Sequence, residues 1–188
     1  MNENNENSKL IWHEKTRKRL LKTVVVDIME TISISPDEKP GSYIVMDARD
    51  WVITIPVLED SFLMVKQWRH GEKELSIEFP GGVNETGEPA EIAAKRELLE
   101  ETGYSAGKMV FLGSANPNPA LMSNHVHFFA AFDLKKEGAQ HLDKDEYVEF
   151  LRIPQKEVYM NFGTKEYQHA LMGTALAFFT RYEYSLNK

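Results

Sequence analysis

Apolar positions along this chain switch from an extended to a helical period and back, and the switches divide it into elements. Residues 20–28 are dense in aliphatic and β-branched side chains and predict a strand; the turn chemistry of Pro36-Asp37-Glu38-Lys39-Pro40-Gly41 then leads to a second extended run at 43–46. Together they predict an N-terminal antiparallel β-hairpin. Residues 51–58 and 62–68 read as two further strands joined by Glu59-Asp60-Ser61, and 75–79 as another before Pro80-Gly81-Gly82. From Pro89 to Thr102 the pattern is helical: proline suits a first turn, no glycine interrupts, and Gly103 stands where a left-handed C-terminal cap is wanted. Residues 110–112, 126–132 and 147–153 return to strand. Between them lie the loop Asn116-Pro117-Asn118-Pro119, whose prolines cannot donate to a ladder, and a polar stretch at 135–145. Thr164 is placed to cap a last helix, in which Ala170, Leu171, Thr174, Ala175, Phe178, Phe179 and Tyr182 recur at helical spacing as a core stripe. The order predicts an α+β fold, with helices packed on a mixed sheet.

Composition narrows the chemistry. The 188 residues can bury a real core, and 22 Lys and Arg against 29 Asp and Glu give a net charge of −7, which argues against a nucleic-acid partner. Without cysteine there is no disulfide, thiolate nucleophile or Cys-ligated metal, so oxygen and nitrogen must do the work. Residues 1–8 are polar, lack the features of a signal peptide and are expected to form a disordered tail. No apolar run approaches the ~18 residues of a membrane span, so no membrane partner and a cytoplasmic location are expected. The basic cluster Lys15, Arg17, Lys18, Arg19 and Lys22 reads as a solvated strand edge.

The negative charge is not spread evenly. Residues 82–104 hold six acids and two bases, four of the seven excess negative charges. On the helix, Glu97, Glu100 and Glu101 crowd one side, where like charges three or four apart repel by a few tenths of a kcal/mol and last-turn acids oppose the macrodipole for roughly 0.3–1 kcal/mol. Arg96 can pair with Glu100 at i,i+4, leaving Glu97 and Glu101 without an evident local partner. A local rule broken without local compensation marks a candidate functional site, and a hard divalent cation is the natural missing partner.

The spacing around these acids is specific. Gly82, Glu88, Arg96, Glu97, Leu98, Glu100, Glu101 and Gly103 satisfy G-x5-E-x7-R-E-U-x-E-E-x-G-U, where U is a bulky apolar residue and Tyr104 takes the last position. Seven fixed residues at background frequencies of roughly 5–7% give a chance match on the order of 10⁻⁹ per start position. This stretch resembles the Nudix box. The resemblance spans residues 43–155: Val65-Lys66-Gln67-Trp68-Arg69 followed by Glu78-Phe79-Pro80-Gly81-Gly82, the proline loop ending at Pro119, and Asp145-Glu146-Tyr147-Val148-Glu149 are similar to segments of ADP-ribose and other nucleoside-diphosphate-sugar pyrophosphatases.

The resemblance implies an α/β/α sandwich of the Nudix fold. It divides the chain into the tail, an N-terminal β region at 9–46 for dimerisation and base recognition, and a Nudix hydrolase domain at 47–188. It further implies Mg²⁺, with Mn²⁺ as the alternative ion, held by Glu97, Glu100, Glu101 and the main-chain carbonyl of Gly81. Arg96 would orient those carboxylates, Glu88 would serve the loop–helix junction, and Glu146 would activate the attacking water, with Asp143 and Asp145 as alternatives. Arg69, Glu78, Trp12 and Pro119 are the substrate-binding candidates, Arg69 through a guanidinium fork on phosphate. Trp68 reads as a core residue, and His125 with His127, which alternate on one strand face, lack a third ligand at a recognisable spacing. The implied reaction splits the pyrophosphate bond of a nucleoside diphosphate sugar, ADP-ribose first and GDP-mannose or others after it, in a homodimer. The alternatives are a Nudix hydrolase of another diphosphate, such as a dinucleoside polyphosphate, and a non-catalytic nucleotide sensor.

Overall fold

The computed structural model describes residues 7–142, 144 and 146–186. Its strands are β1 (His13–Lys22), β2 (Val26–Ile34), β3 (Pro40–Ala48), β4 (Trp51–Leu58), β5 (Ser61–Arg69), β6 (Glu74–Glu78), β7 (Gly81–Val83), β8 (Tyr104–Ala115), β9 (Val126–Lys136) and β10 (Val148–Pro154). Its helices are α1 (Ala90–Thr102), α2 (Gln155–Asn161) and α3 (Ala170–Leu186), with 3-10 turns at Asn7–Leu10 and Lys165–Tyr167. The chain forms two compact units, one containing the residues up to Arg49 with Asn116–Asn124, the other Asp50–Ala115 with His125–Lys188.

The N-terminal unit is an antiparallel sheet in the order β1-β2-β3. It extends the expected hairpin by a strand, because residues 20–28 do not run straight. Thr23 Oγ1 accepts the N–H groups of Val25 and Val26 at 3.2 and 2.9 Å and donates to the Val26 carbonyl at 2.5 Å, closing a turn inside the apolar run. The basic cluster therefore lies within β1, exposed at every position. Arg17 pairs with Glu14 and Asp47, and Arg19 with Asp27. Residues 116–124 join this unit through long-range bonds with no sequence signature: Met46 N–H to the Leu121 carbonyl at 2.7 Å, Ser123 N–H to the Met46 carbonyl at 3.1 Å and Asn124 Nδ2 to the Arg49 carbonyl at 3.0 Å.

In the second unit the sheet runs β10-β5-β4-β9-β8, with β6 paired to β5 and β7 to β4; β4 and β9 are parallel and the other pairs antiparallel. β4 alternates as a half-buried period-2 strand must. Val52 faces α1 with Ala93, Ala94 and Phe129, and Thr54 Oγ1 donates to the Ala94 carbonyl at 3.2 Å. Ile53 and Ile55 face the other way into the main core with Phe62, Met64, Phe128, Met172, Leu176 and Phe179. Each fully buried side chain of this kind contributes roughly 1.5–3 kcal/mol. Helices thus cover both faces of a mixed sheet.

One feature of the sheet positions the site. β4 and β5 pair directly only at Val57 with Phe62 and Leu58 with Ser61; the start of β4 then takes β7 and the end of β5 takes β6. The sheet splits there, and Glu78-Phe79-Pro80-Gly81 crosses the opening, pinned where Thr54 N–H donates to the Pro80 carbonyl at 2.9 Å.

The C-terminal expectation needs correcting. Helix α2, at Gln155–Asn161, follows β10 directly, and Thr164 precedes a 3-10 turn with its hydroxyl donating back to the Asn161 carbonyl at 2.6 Å. α3 is capped instead by His169, whose Nδ1 accepts the Leu171 N–H at 3.2 Å. The Thr164 hydroxyl is spent as a donor to the preceding helix rather than as a cap, and an imidazole acceptor serves a helix start much as an Asn side chain does. No helix among the described residues is long and apolar enough to cross a membrane.

Candidate active site

Helix α1 is built as the sequence predicts and aims its acids at the sheet opening. Pro89 is its N-cap, and Gly103 closes it at φ 74°, donating its N–H to the Leu99 carbonyl at 2.8 Å. Leu98, Ala93 and Ala94 are fully buried, which fixes the rotation of the helix and turns Glu97 and Glu101 toward β7. Glu101 Oε2 accepts the Gly81 N–H at 2.8 Å. A Cβ on Gly82 would lie 2.5 Å from Glu97 Oε1, so only glycine lets this backbone approach the carboxylate.

Charge accumulates here. Burial pushes the Glu101 carboxyl up to about 8, the Gly81 N–H offsets part of this, and the charges of Glu97 and Glu146 add to the rise. Glu97 is also raised, by burial first, against the pull of Arg96. Arg96 organises the cluster: Nε and Nη2 reach Glu88 at 3.2 and 3.1 Å, and Nη1 reaches Glu97 at 2.8 Å and Glu100 at 3.0 Å. Glu97 therefore has a local partner after all. Adjacent helix residues do not face one another, but the arginine stem is long enough to turn back along the helix. Glu88 also accepts the Glu85 N–H at 3.3 Å and joins the loop to the helix.

The donor set fits a hard divalent cation: a buried and a partly buried carboxylate with raised pKa values, a third on the same helix, and a neighbouring backbone of two glycines. Among the described residues no three acidic or histidine side chains already surround a common point; Arg96 Nη1 bonds both Glu97 and Glu100.

Glu146 is exposed, and its charge acts on both Glu97 and Glu101. Its loop is tied to the end of α1 by Gln140 Nε2 donating to the Glu101 carbonyl at 2.6 Å and by His141 N–H donating to the Glu100 carbonyl at 2.9 Å. Asp143 and Asp145 lie outside the described residues.

Arg69 and Glu78 meet each other. Arg69 Nε donates to Glu78 Oε1 at 2.7 Å and Nη2 to Oε2, a bidentate fork on a carboxylate whose side chain is 3% exposed. Burial pushes Glu78 up, but the hydrogen bonds and charge of Arg69 bring it below the usual carboxylate range. The pair lines a cleft of about 670 Å³ that also reaches Gly81, Gly82 and Trp68. Trp68 is 48% exposed, so it is a cleft residue rather than the core residue expected. His169 stands in the same wall, with Nε2 4.0 Å from Glu78 Oε2. Sequence reasoning did not single it out; its only signal is a histidine directly before an apolar helical stripe.

Trp12 and Pro119 fall in the N-terminal unit, where Trp12 packs edge-on against Tyr43 at 5.5 Å. His125 and His127 do not pair on a metal: His127 Nδ1 bonds Ser114 Oγ at 2.6 Å and Nε2 bonds Asp50 Oδ2 at 3.1 Å.

Known proteins place this geometry in context. The chain is 31% identical over 140 residues to the ADP-ribose pyrophosphatase of Bacillus subtilis, a match covering 74% of this chain and 71% of that protein. It is 38% identical over 96 residues to the methanol dehydrogenase activator of Bacillus methanolicus, and 28% identical over 92 residues to the ADP compounds hydrolase NudE of Escherichia coli. In these two matches the chain spans about half the relative's length, 52% and 50%. A solved structure of an ADP compounds hydrolase shares the fold at a TM-score of 0.83 and 20% identity, covering 93% of this chain and 95% of that one. A family model described as the NUDIX domain matches residues 48–171, which take in the split sheet and the whole acidic face of α1. By that match and its carboxylate helix, the chain belongs to the NUDIX domain family.

Proposed function

We propose that this protein hydrolyses the pyrophosphate bond of a nucleoside diphosphate sugar, ADP-ribose first among them and GDP-mannose or other sugar nucleotides after it, in a Mg²⁺-dependent reaction that Mn²⁺ can also support. The observation that carries the reading is the convergence of Glu97 and Glu101 on the Gly81-Gly82 backbone. Glu97, Glu100, Glu101 and the Gly81 carbonyl would hold the cation, which when bound offsets phosphate charge and lowers the pKa of water. Arg96 keeps three carboxylates in place, and Glu146 takes the proton of the attacking water. Arg69 and Glu78 contact the substrate in the cleft beside them.

Printed names of relatives support the substrate class, since two of them are an ADP-ribose pyrophosphatase and an ADP compounds hydrolase. The N-terminal sheet is the proposed dimer contact and, through Trp12, the base-recognition surface, because Leu20, Leu21, Val24 and Val25 are all at least half exposed on it.

The test is a panel of ADP-ribose, ADP-glucose, GDP-mannose, dinucleoside polyphosphates and nucleoside triphosphates in Mg²⁺, repeated with Glu101→Gln. Release of nucleoside monophosphate from at least one diphosphate sugar, with a loss of several orders of magnitude in the variant, is the expected result. No turnover of any panel member, or full activity in the variant, contradicts the reading. Light scattering should give twice the chain mass.

A further inference from the structure

We propose that His169 is a substrate-positioning residue, its Nε2–H donating to a hydroxyl of a sugar ring lodged in the cleft beside Arg69 and Glu78. The inference rests on the hydrolase reading above and assigns part of the substrate to part of the site. His169 has its tautomer set from behind. Nδ1 accepts the Leu171 N–H at 3.2 Å, which leaves the ring's donor hydrogen on Nε2. That hydrogen faces the cleft. Its nearest carboxylate oxygen, Glu78 Oε2, is 4.0 Å away, beyond hydrogen-bonding reach, and both Glu78 oxygens are already engaged by Arg69.

The surroundings choose the ligand chemistry. Glu78 matches the charge of Arg69, so this corner carries no surplus positive charge of the kind a phosphate would demand. What it offers is an N–H donor on His169, the amide of Gln168 in the same wall, and the half-exposed apolar faces of Trp68 and Leu75, which are cross-strand partners. Apolar faces beside hydrogen-bonding groups suit a hydroxylated ring, with C–H faces on one side and O–H groups on the other. The phosphates are left to the acids of α1 and their cation. A ribose of the nucleoside and the sugar of the other half share this chemistry, and the experiment separates them.

The cap gives a clean variant. In His169→Asn the side-chain oxygen can still accept the Leu171 N–H at the start of α3, but the side chain no longer reaches into the cleft. In His169→Gln an amide donor reaches about as far as Nε2. With the diphosphate sugar that the wild type cleaves best, His169→Asn should raise KM about tenfold, the worth of one hydrogen bond, with kcat and melting temperature unchanged, and His169→Gln should recover most of that loss. Product inhibition identifies the ring: weaker inhibition by the sugar phosphate alone places the sugar half at His169, and weaker inhibition by the nucleoside monophosphate alone places the nucleoside ribose there. A wild-type KM in His169→Asn, or inhibition by both products unchanged, overturns the inference and leaves His169 as a helix cap only. A wild type that cleaves nothing in the panel overturns the hydrolase reading, and this inference with it.

Discussion

Glu78 and Glu101 are both buried, at 2% and 5% exposure, yet their carboxyls move in opposite directions. Burial pushes each one up. At Glu78 the fork from Arg69 more than offsets this and holds the group ionised. At Glu101 burial dominates: the Gly81 N–H and the more distant charge of Arg69 offset only part of it, Glu97 and Glu146 add negative charge, and the carboxyl rises to about 8. One buried acid is thus matched within the protein, and the other is the one to which the proposed reading assigns a cation from outside. The contrast separates the two ends of the proposed site: an α1 face with accumulated negative charge, and an Arg69–Glu78 corner whose charges are already matched.

The largest effect should come from breaking the matched pair. Arg69→Met strands the Glu78 carboxylate, and urea unfolding at pH 7 should show a loss of about 3 kcal/mol, the lower end for a buried pair because the guanidinium is partly in water. A loss under about 1 kcal/mol would mean that Glu78 does not depend on Arg69.

The acid with the raised pKa should show itself through pH. The folded pKa of Glu101 lies above its ordinary value of 4.5, so the native state holds a proton that the unfolded chain releases. Metal-free protein should therefore lose stability as pH rises from about 5 through 8, by an amount on the order of a few kcal/mol. Glu101→Gln should flatten that slope in thermal melts under EDTA. An unchanged slope would assign the effect to other groups.

Arg96 joins Glu88, Glu97 and Glu100, and Arg96→Gln should weaken divalent-ion binding roughly 10–100-fold with little change in fold, as loss of an orienting partner does. Arg17→Ala, by contrast, removes ion pairs on the exposed β1 strand and should cost less than about 1 kcal/mol. A similar cost for Arg69→Met and Arg17→Ala would erase the distinction between a buried and a solvated pair.

The α1 acids were legible in the sequence as a cluster; at the other end Arg69 and Glu78 were named through the resemblance, but neither their pairing nor His169 was. Glu97, Glu100 and Glu101 sit on one helix, so their crowding follows from 3.6 residues per turn, and Pro89 and Gly103 mark the helix ends. Arg69, Glu78 and His169 meet only because β5 pairs with β6 and α3 begins beside them, a closure across as much as a hundred residues that no local period encodes. The same limit hid the membership of residues 116–124 in the N-terminal unit. The turn at Thr23 was missed for a different reason: a side-chain hydroxyl reversed the chain inside a run whose apolar pattern was continuous.

Titration of Mn²⁺ into the metal-free protein, followed by the loss of the free-ion paramagnetic resonance signal, tests the cation site most directly. Wild type should bind, and Glu101→Gln should bind at least about tenfold more weakly while melting at or above the temperature of the metal-free wild type at pH 8. No binding by the wild type, or equal affinity in the two proteins, would contradict the assignment of the α1 acids as a metal site.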